Sequence, residues 1–268
     1  MATYLGKLLH GNTDFPILTI DKGYIDDEIK LDVGVPHPPY VMCDENYGGR
    51  IAARSLISFF EENRHEVPEP RVAVLSGLEG SDLRIEGFKE EFTSHFSGDG
   101  AVYPNPLAGE FRRAVARQLT QAFLKKQRLA VHAFFCCNDE MALGVRDALE
   151  EETNKFRRRI RHIGGTAKIP LGEKRSKLKC LYAELLWLLN IKVVGFDGIR
   201  EVRILLDRKD QWLLNSVDVD VPNQVAHLVE LFDRFRGAGK RASIKTDIRH
   251  PPTLVIDERR QNNEWRYT

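Results

Sequence analysis

Short apolar runs rich in Val, Ile and Phe alternate along the chain with longer segments of helical period, and this alternation limits the fold more than any other feature. A strand followed by a helix and then by another strand rejoins its sheet in parallel, with the helix laid on one face. Strands are expected at PILTID (16–21), RVAVLSG (71–77), AVYPNPL (101–107), AVHAFFCCN (130–138), IKVVGFD (191–197), LNSVDVD (214–220) and PTLVID (252–257), with the weakest pattern at 101–107. Most are nearly continuous in hydrophobicity, as strands covered on both faces are. The fold class is therefore α/β with parallel sheets.

The intervening segments read as amphipathic helices. Ile51, Ala52, Leu56 and Phe60 line one face after Gly48–Gly49, and Leu83, Phe88 and Phe92 follow a polar start at Ser81 and Asp82. Phe111, Val115, Leu119 and Phe123 repeat every four residues, as do Met141, Val145 and Leu149. Pro222 opens a further helix whose expected buried face is Val225, Leu228, Val229 and Phe232. The three prolines of VGVPHPPYV (33–41) exclude helix and central strand, so this stretch reads as a crossing between lobes. The rhythm breaks at 153–180 and a helical pattern resumes at LYAELLWLL (181–189), so 153–190 reads as an insertion.

With 268 residues, 42% hydrophobic and 29% charged, the chain has the composition of a globular protein with a substantial core. No apolar run approaches the roughly 20 residues that span a bilayer, so no membrane contact is expected. The N-terminus has no long apolar segment ending in a small-residue cleavage site, and a cytoplasmic location is the expectation. Four cysteines, Cys43, Cys136, Cys137 and Cys180, are too few for a disulfide scaffold. Residues 154–180 hold ten Lys and Arg against one acid, a local charge of +9 within a net +1, so the remainder carries −8.

The strong signatures of catalysis are absent: there is no GxxxxGK(S/T), no HExxH, no GxSxG and no paired CxxC. No nucleophile stands beside a base, so an enzyme is not expected, nor is a cofactor. GLEGSDLR (77–84) reads as an ordinary β-to-α turn, and His132 as a satisfied core histidine. Cys136 and Cys137 alternate across a strand, point to opposite faces and cannot share a metal. Ligands of open parallel sheets gather beyond the C-terminal ends of the strands. Asp21, Lys22, Asn138, Asp197 and Asp220 fall at such ends, and Arg84 lies in the first turn after one. Singly each reads as a cap or loop charge; together they make a rim suited to a hydroxyl-rich ligand. Asp139 reads as the cap of the next helix.

VMCDENYGGRIAARSL, RVAVLSGLEGSDLRIEGF, AFFCCNDEMALGVRDAL, KVVGFDGIREV and SVDVDVPNQVAHLV occur in the order of the matching blocks of type I periplasmic sugar-binding proteins and LacI-type repressor effector domains. The chain resembles that superfamily over most of 15–257, outside the insertion, with RxxGF and NDxMALG its most specific elements. The resemblance implies two Rossmann-like lobes with crossings near 40–44, 220–222 and 246–251. Residues 1–42 with 221–247 would form the N-terminal lobe and 43–220 with 248–268 the C-terminal lobe. It implies ligand contacts from Asp21 and Lys22 on one lobe, from Arg84, Asn138 and Asp197 on the other, and from Asp220 at a crossing. An arginine is commoner where Lys22 stands, and its loss removes a bidentate fork. PILTID resembles the family's fourth strand, so an incomplete, truncated N-terminal lobe is expected, finished by a partner chain or dimer.

The function expected is non-catalytic binding of a small polar ligand, a sugar above all, as a sensor or effector domain. Two alternatives stand beside it. One is a fragment of a LacI-type transcription regulator. The other is binding of nucleic acid or another polyanion through 154–180, against which a solvated, disordered loop weighs more.

Overall fold

The alternation is realised as two sheets, each in its own compact unit of the chain. One unit comprises Met1–Asp44 with Val219–Pro252, and the other Glu45–Asp218 with Thr253–Thr268. The computed structural model describes residues 19–20, 40–78, 81–97, 100–165, 170–238, 247–250 and 252–254.

The larger unit holds β3 (Val72–Ser76), β4 (Leu107–Ala108), β5 (Ala133–Cys136), β6 (Lys192–Asp197), β7 (Leu213–Asp218) and β9 (Thr253–Leu254). Their order is β4-β3-β5-β6-β7-β9, parallel except for β9, which pairs antiparallel with β7. The chain leaves β3 toward β4 and then returns past β3 to β5, so the direction of winding reverses between β3 and β5. That reversal opens a crevice at the C-terminal ends of these two strands. Right-handed crossovers put the helices of the two directions on opposite faces.

On one face α1 (Glu45–Glu62) and α2 (Asp82–His95) run side by side, joined by Arg50–Glu90 at 2.6 Å, Arg54–Glu91 at 2.7 Å and Glu61–His95 at 2.8 Å. They touch through glycine. A Cβ on Gly49 would overlap the Arg84 carbonyl, and one on Gly87 would overlap the Asn46 carbonyl. Below them Phe88 stacks on Phe135 of β5 with centroids 4.4 Å apart, and Phe60 and Phe92 complete an aromatic layer. On the other face α3 (Arg113–Lys126) packs on α4 (Asp139–Gly165), where a Cβ on Gly144 would overlap the Arg113 carbonyl. Here Arg113 grips Asp147 through two bonds of 2.7 and 3.1 Å. Met141, Val145 and Leu149 of α4 are fully buried, as their spacing predicts.

Several expectations change. Residues 101–106 are not a strand: Pro104 and Pro106 cannot donate to a ladder, and only the Val72–Val102 bridge and the two-residue β4 remain. Leu83, expected on the buried face of α2, stands 42% exposed. In α3 the buried line is Ala116, Thr120 and Leu124, one position on from the expected stripe, and Phe111 precedes the helix. The basic stretch is neither loop nor disordered over its described residues. α4 continues to Gly165 and α5 (Leu171–Asn190) returns antiparallel to it. The root of this hairpin is anchored by indole hydrogen bonds from Trp187 to the Val131 carbonyl (2.7 Å) and from Trp212 to the Leu188 carbonyl (2.9 Å). A short helix, α6 (Arg200–Asp207), links β6 to β7.

The smaller unit contains β1 (Thr19–Ile20), β2 (Tyr40–Cys43) and β8 (Asp247–His250), parallel in the order β1-β2-β8, and α7 (Val221–Ala238), with Pro222 its second residue. The expected buried face of α7 is not buried: Val225, Val229 and Phe232 are 45%, 55% and 41% exposed, and Leu228 is half-buried. Three strands of two to four residues are too short to cover a helix of five turns among the described residues.

Candidate functional site

β5 and β6 carry Asn138 and Asp197 to the crevice edge at their C-terminal ends, and α2 delivers the cation. After β3 the chain turns through Gly77, whose N–H donates to Ser81 Oγ (3.2 Å), and Ser81 in turn donates to the Leu78 carbonyl (3.2 Å). This small loop sets the start of α2, and Arg84 in its first turn reaches back over the sheet edge. Its side chain is only 11% exposed. Nε and Nη2 clasp both carboxylate oxygens of Glu45, the latter at 2.7 Å. Nη1 donates to the Cys137 carbonyl (2.5 Å) and to Asp197 Oδ1 (3.4 Å), and the guanidinium lies 4.0 Å over the Phe196 ring. Four of its five N–H groups are thereby directed. Burial opposes its charge, but the bonds and charge of Glu45, with the charge of Asp197, outweigh that and raise its pKa.

The cap expected of Asp139 is made by Asn138. Asn138 Oδ1 accepts the Met141 N–H (2.9 Å), so Asn138 caps α4, while its Nδ2 lies 3.5 Å from the Phe111 carbonyl. Asp139 turns inward instead. It is completely buried, accepting the Ser216 hydroxyl at 2.7 Å and the Ile199 N–H at 2.8 Å. It fits there because β6 has glycine at 195, where a Cβ would overlap Asp139 Oδ1. Burial pushes its pKa up to about 7, and the Asp197 charge adds to this against the bonds from Ser216, Ile199 and Gly198. A strand-to-helix junction has one cap position, and here the first polar residue, not the second, occupies it.

Asp139 thus holds the turn that presents Asp197. Asp197 and Gly198 have φ of 105° and 65°, a conformation that costs a non-glycine residue about 1–3 kcal/mol. Opposing this, Ser216 Oγ accepts the Gly198 N–H (3.2 Å) and Arg203 donates to the Gly198 carbonyl (2.5 Å). On the far side of the crevice Glu110 and Phe111 both have φ of 57°, and the Phe111 ring occupies the space over Gly77.

Of the residues expected to bind ligand, the structure brings Arg84 and Asp197 into one cluster, with Asn138 following the carbonyl that Arg84 grips. Asp220 belongs to the smaller unit, where its carboxylate accepts from Asn223 Nδ2 (2.5 Å) at the start of α7. Asp21 and Lys22 lie outside the described residues. Sequence reasoning missed Glu45, Phe111 and Phe196. Glu45 stands at the start of a helix, where an acid is commonplace, and Phe111 was absorbed into a helical repeat. His132 is half-buried and accepts the Arg71 N–H at 3.0 Å, and burial together with the Arg71 charge lowers its pKa. Cys136 and Cys137 are buried, and among the described residues no three His, Cys, Asp or Glu side chains converge as a metal ion requires.

No family model and no curated protein matches the sequence. Solved structures match the fold. A periplasmic solute-binding protein of an ABC transporter from Actinobacillus succinogenes 130z, with bound D-allose, superposes with a TM-score of 0.64 at 19% identity, over 93% of this chain and 71% of that one. The arabinose-transporter binding protein of Shewanella sp. ANA-3, bound to α- and β-L-arabinofuranose, gives 0.63 at 18% identity over 98% and 72%. The transcriptional regulator CelR in complex with cellobiose gives 0.61 at 18% identity over 95% and 68%.

Proposed function

From the type I periplasmic-binding-protein fold of this chain, we propose that it binds a small hydroxyl-rich ligand, a sugar or cyclic polyol, without chemical turnover. The observation that carries this is the cluster of Arg84, Asp197 and the Cys137 carbonyl at the point where the sheet reverses its winding, with the Phe111 ring across the crevice. A carboxylate held by an arginine accepts two hydroxyl protons in fixed directions, and an aromatic face suits the C–H surface of a sugar ring. Asn138, Asp220, Asp21 and Lys22 are further ligand contacts in this reading. The sugar-bound relatives of the fold support it. The cluster has no nucleophile with an adjacent base, which favours binding over catalysis.

Titration calorimetry of the full chain with a panel of aldoses, ketoses, disaccharides and inositols tests the proposal. Measurable heat with one class is expected, lost in Asp197→Asn and weakened at least tenfold in Phe111→Ala. A folded protein that gives no heat across the panel refutes it. A regulatory effector domain is a second reading, supported by the likeness to CelR as the likenesses to solute-binding proteins support a transport receptor. That reading fails if the native reading frame around this chain encodes neither a DNA-binding nor a signalling module.

A further inference from the structure

The α4–α5 hairpin carries the chain's largest concentration of charge, and its geometry makes that charge available. Beyond Phe156, the last buried residue of α4, and before Leu188, the first on α5, no described side chain of the hairpin is buried. Glu173 is the one acid among the described residues of its outer part and is taken by Lys177 at 2.6 Å. Arg157, Arg158, Lys174, Arg175 and Lys179 have no acidic partner within 4.0 Å among the described residues. From Lys174 to Trp187 the array extends about 20 Å along the helix.

At its root, between α3, α4 and α5, lies a recess of about 450 Å³. Phe156 and Trp187 contribute to its lining, and Lys125, Arg128, Arg158 and Arg159 supply its positive charge. The two acids there are already engaged, Glu152 by Lys155 (2.7 Å) and Glu184 by Arg128 (3.0 Å). The Trp187 indole N–H is also committed, to the Val131 carbonyl, so the ring is fixed. A cationic track leading into an aromatic-lined recess matches a single strand of nucleic acid, whose phosphates follow the track while an unstacked base enters the recess. A duplex exposes no base face to such a seat. Leu171, Tyr182 and Leu186 are exposed along α5, which an anionic membrane would also use, but a membrane has no use for a recess that holds Phe156 and a fixed Trp187. The geometry points to the α4–α5 hairpin as a docking site for single-stranded nucleic acid. This inference stands independently of the sugar reading.

Fluorescence anisotropy with a labelled 20-nucleotide oligothymidine and its oligouridine counterpart tests it, using the full chain. With about five phosphates neutralised, log K falls with log salt at a slope of about −3.5, a loss of about 100-fold between 50 and 200 mM. Replacing Lys174, Arg175 and Lys179 by Gln removes about three of those contacts. The expected weakening is about 100-fold at 0.1 M salt, with a slope near −1.4. The pair Arg158→Gln and Arg159→Gln also weakens binding and narrows the preference for single strand over duplex. All five positions lie outside the core, so circular dichroism melting should match the wild type. The inference is overturned by absence of oligonucleotide binding, by equal or tighter binding of a duplex, by triple-variant affinity equal to wild type, or by binding to phosphatidylserine vesicles alone. Sugar calorimetry on the triple variant should be unchanged, so failure here and failure of the sugar reading are told apart.

Discussion

Replacing Asp139 by Asn should remove a pH dependence of stability that the wild type owes to one buried carboxyl. Its folded pKa is raised to about 7 from an ordinary 3.8. The folded state therefore holds a proton that the unfolded chain has released, and the stabilisation is full below about pH 3.8 and lost as pH rises through 7. The whole shift corresponds to about 4 kcal/mol, of which about 2.6 kcal/mol lies between pH 5 and pH 8. The introduced asparagine is close in shape to the protonated carboxyl and neutral at every pH, with the Ser216 hydroxyl turned from donor to acceptor. Its amide can donate to Ser216 Oγ, and its carbonyl can accept the Ile199 N–H as Asp139 Oδ2 does. Urea unfolding at pH 5, 6, 7 and 8, followed by circular dichroism, gives the difference between variant and wild type, in which the other titrating groups cancel. That difference should favour the variant by about 2.6 kcal/mol more at pH 8 than at pH 5. A difference that is flat with pH, or that favours the wild type as pH rises, refutes the placement of a neutral carboxyl at this junction.

Other outcomes follow from the same site and its supports. Arg84→Ala leaves Glu45 buried without its partner and should cost about 3–5 kcal/mol in urea unfolding, whereas Arg84→Ala with Glu45→Ala should recover much of that stability without restoring ligand binding. Gly87→Ala forces α1 and α2 apart against the Asn46 carbonyl and should cost about 1–3 kcal/mol, read as a fall in Tm. Ellman's reagent should titrate Cys180 quickly in the native protein and Cys43, Cys136 and Cys137 only after unfolding, since all three are buried. Burial also pushes the Cys137 thiol up to about 12 and Cys136 well above its usual range, so neither offers thiolate near neutrality.

The parallel α/β layout was legible because buried parallel strands leave continuous apolar runs, and Val72–Ser76, Ala133–Cys136 and Lys192–Asp197 fall within the expected segments. Arg84 and Asp197 were legible because strand ends are where polar groups converge, and the two do meet. The clasp on Glu45 was not, because it joins helices 39 positions apart and depends on glycines whose role appears only when two backbones touch. The inward turn of Asp139, with the cap left to Asn138, was hidden for a related reason. Either side chain can cap a helix, and only Gly195 and Ser216, from other strands, make room and partners for an inward carboxyl. The α7 stripe misled because periodicity reports that a face is apolar, not that anything covers it.

The close approach of α1 to α2 places most of the RxxGF motif under the demands of folding alone. Gly87 is required by the Asn46 backbone, Phe88 by the ring of Phe135, and Arg84 by the carboxylate of Glu45. Under the proposed sugar-binding reading, the loops that carry Phe111 and Asp197 could change ligand while the demands of stability alone kept the arginine in place. The motif would then persist as a signature of the fold rather than of any one ligand.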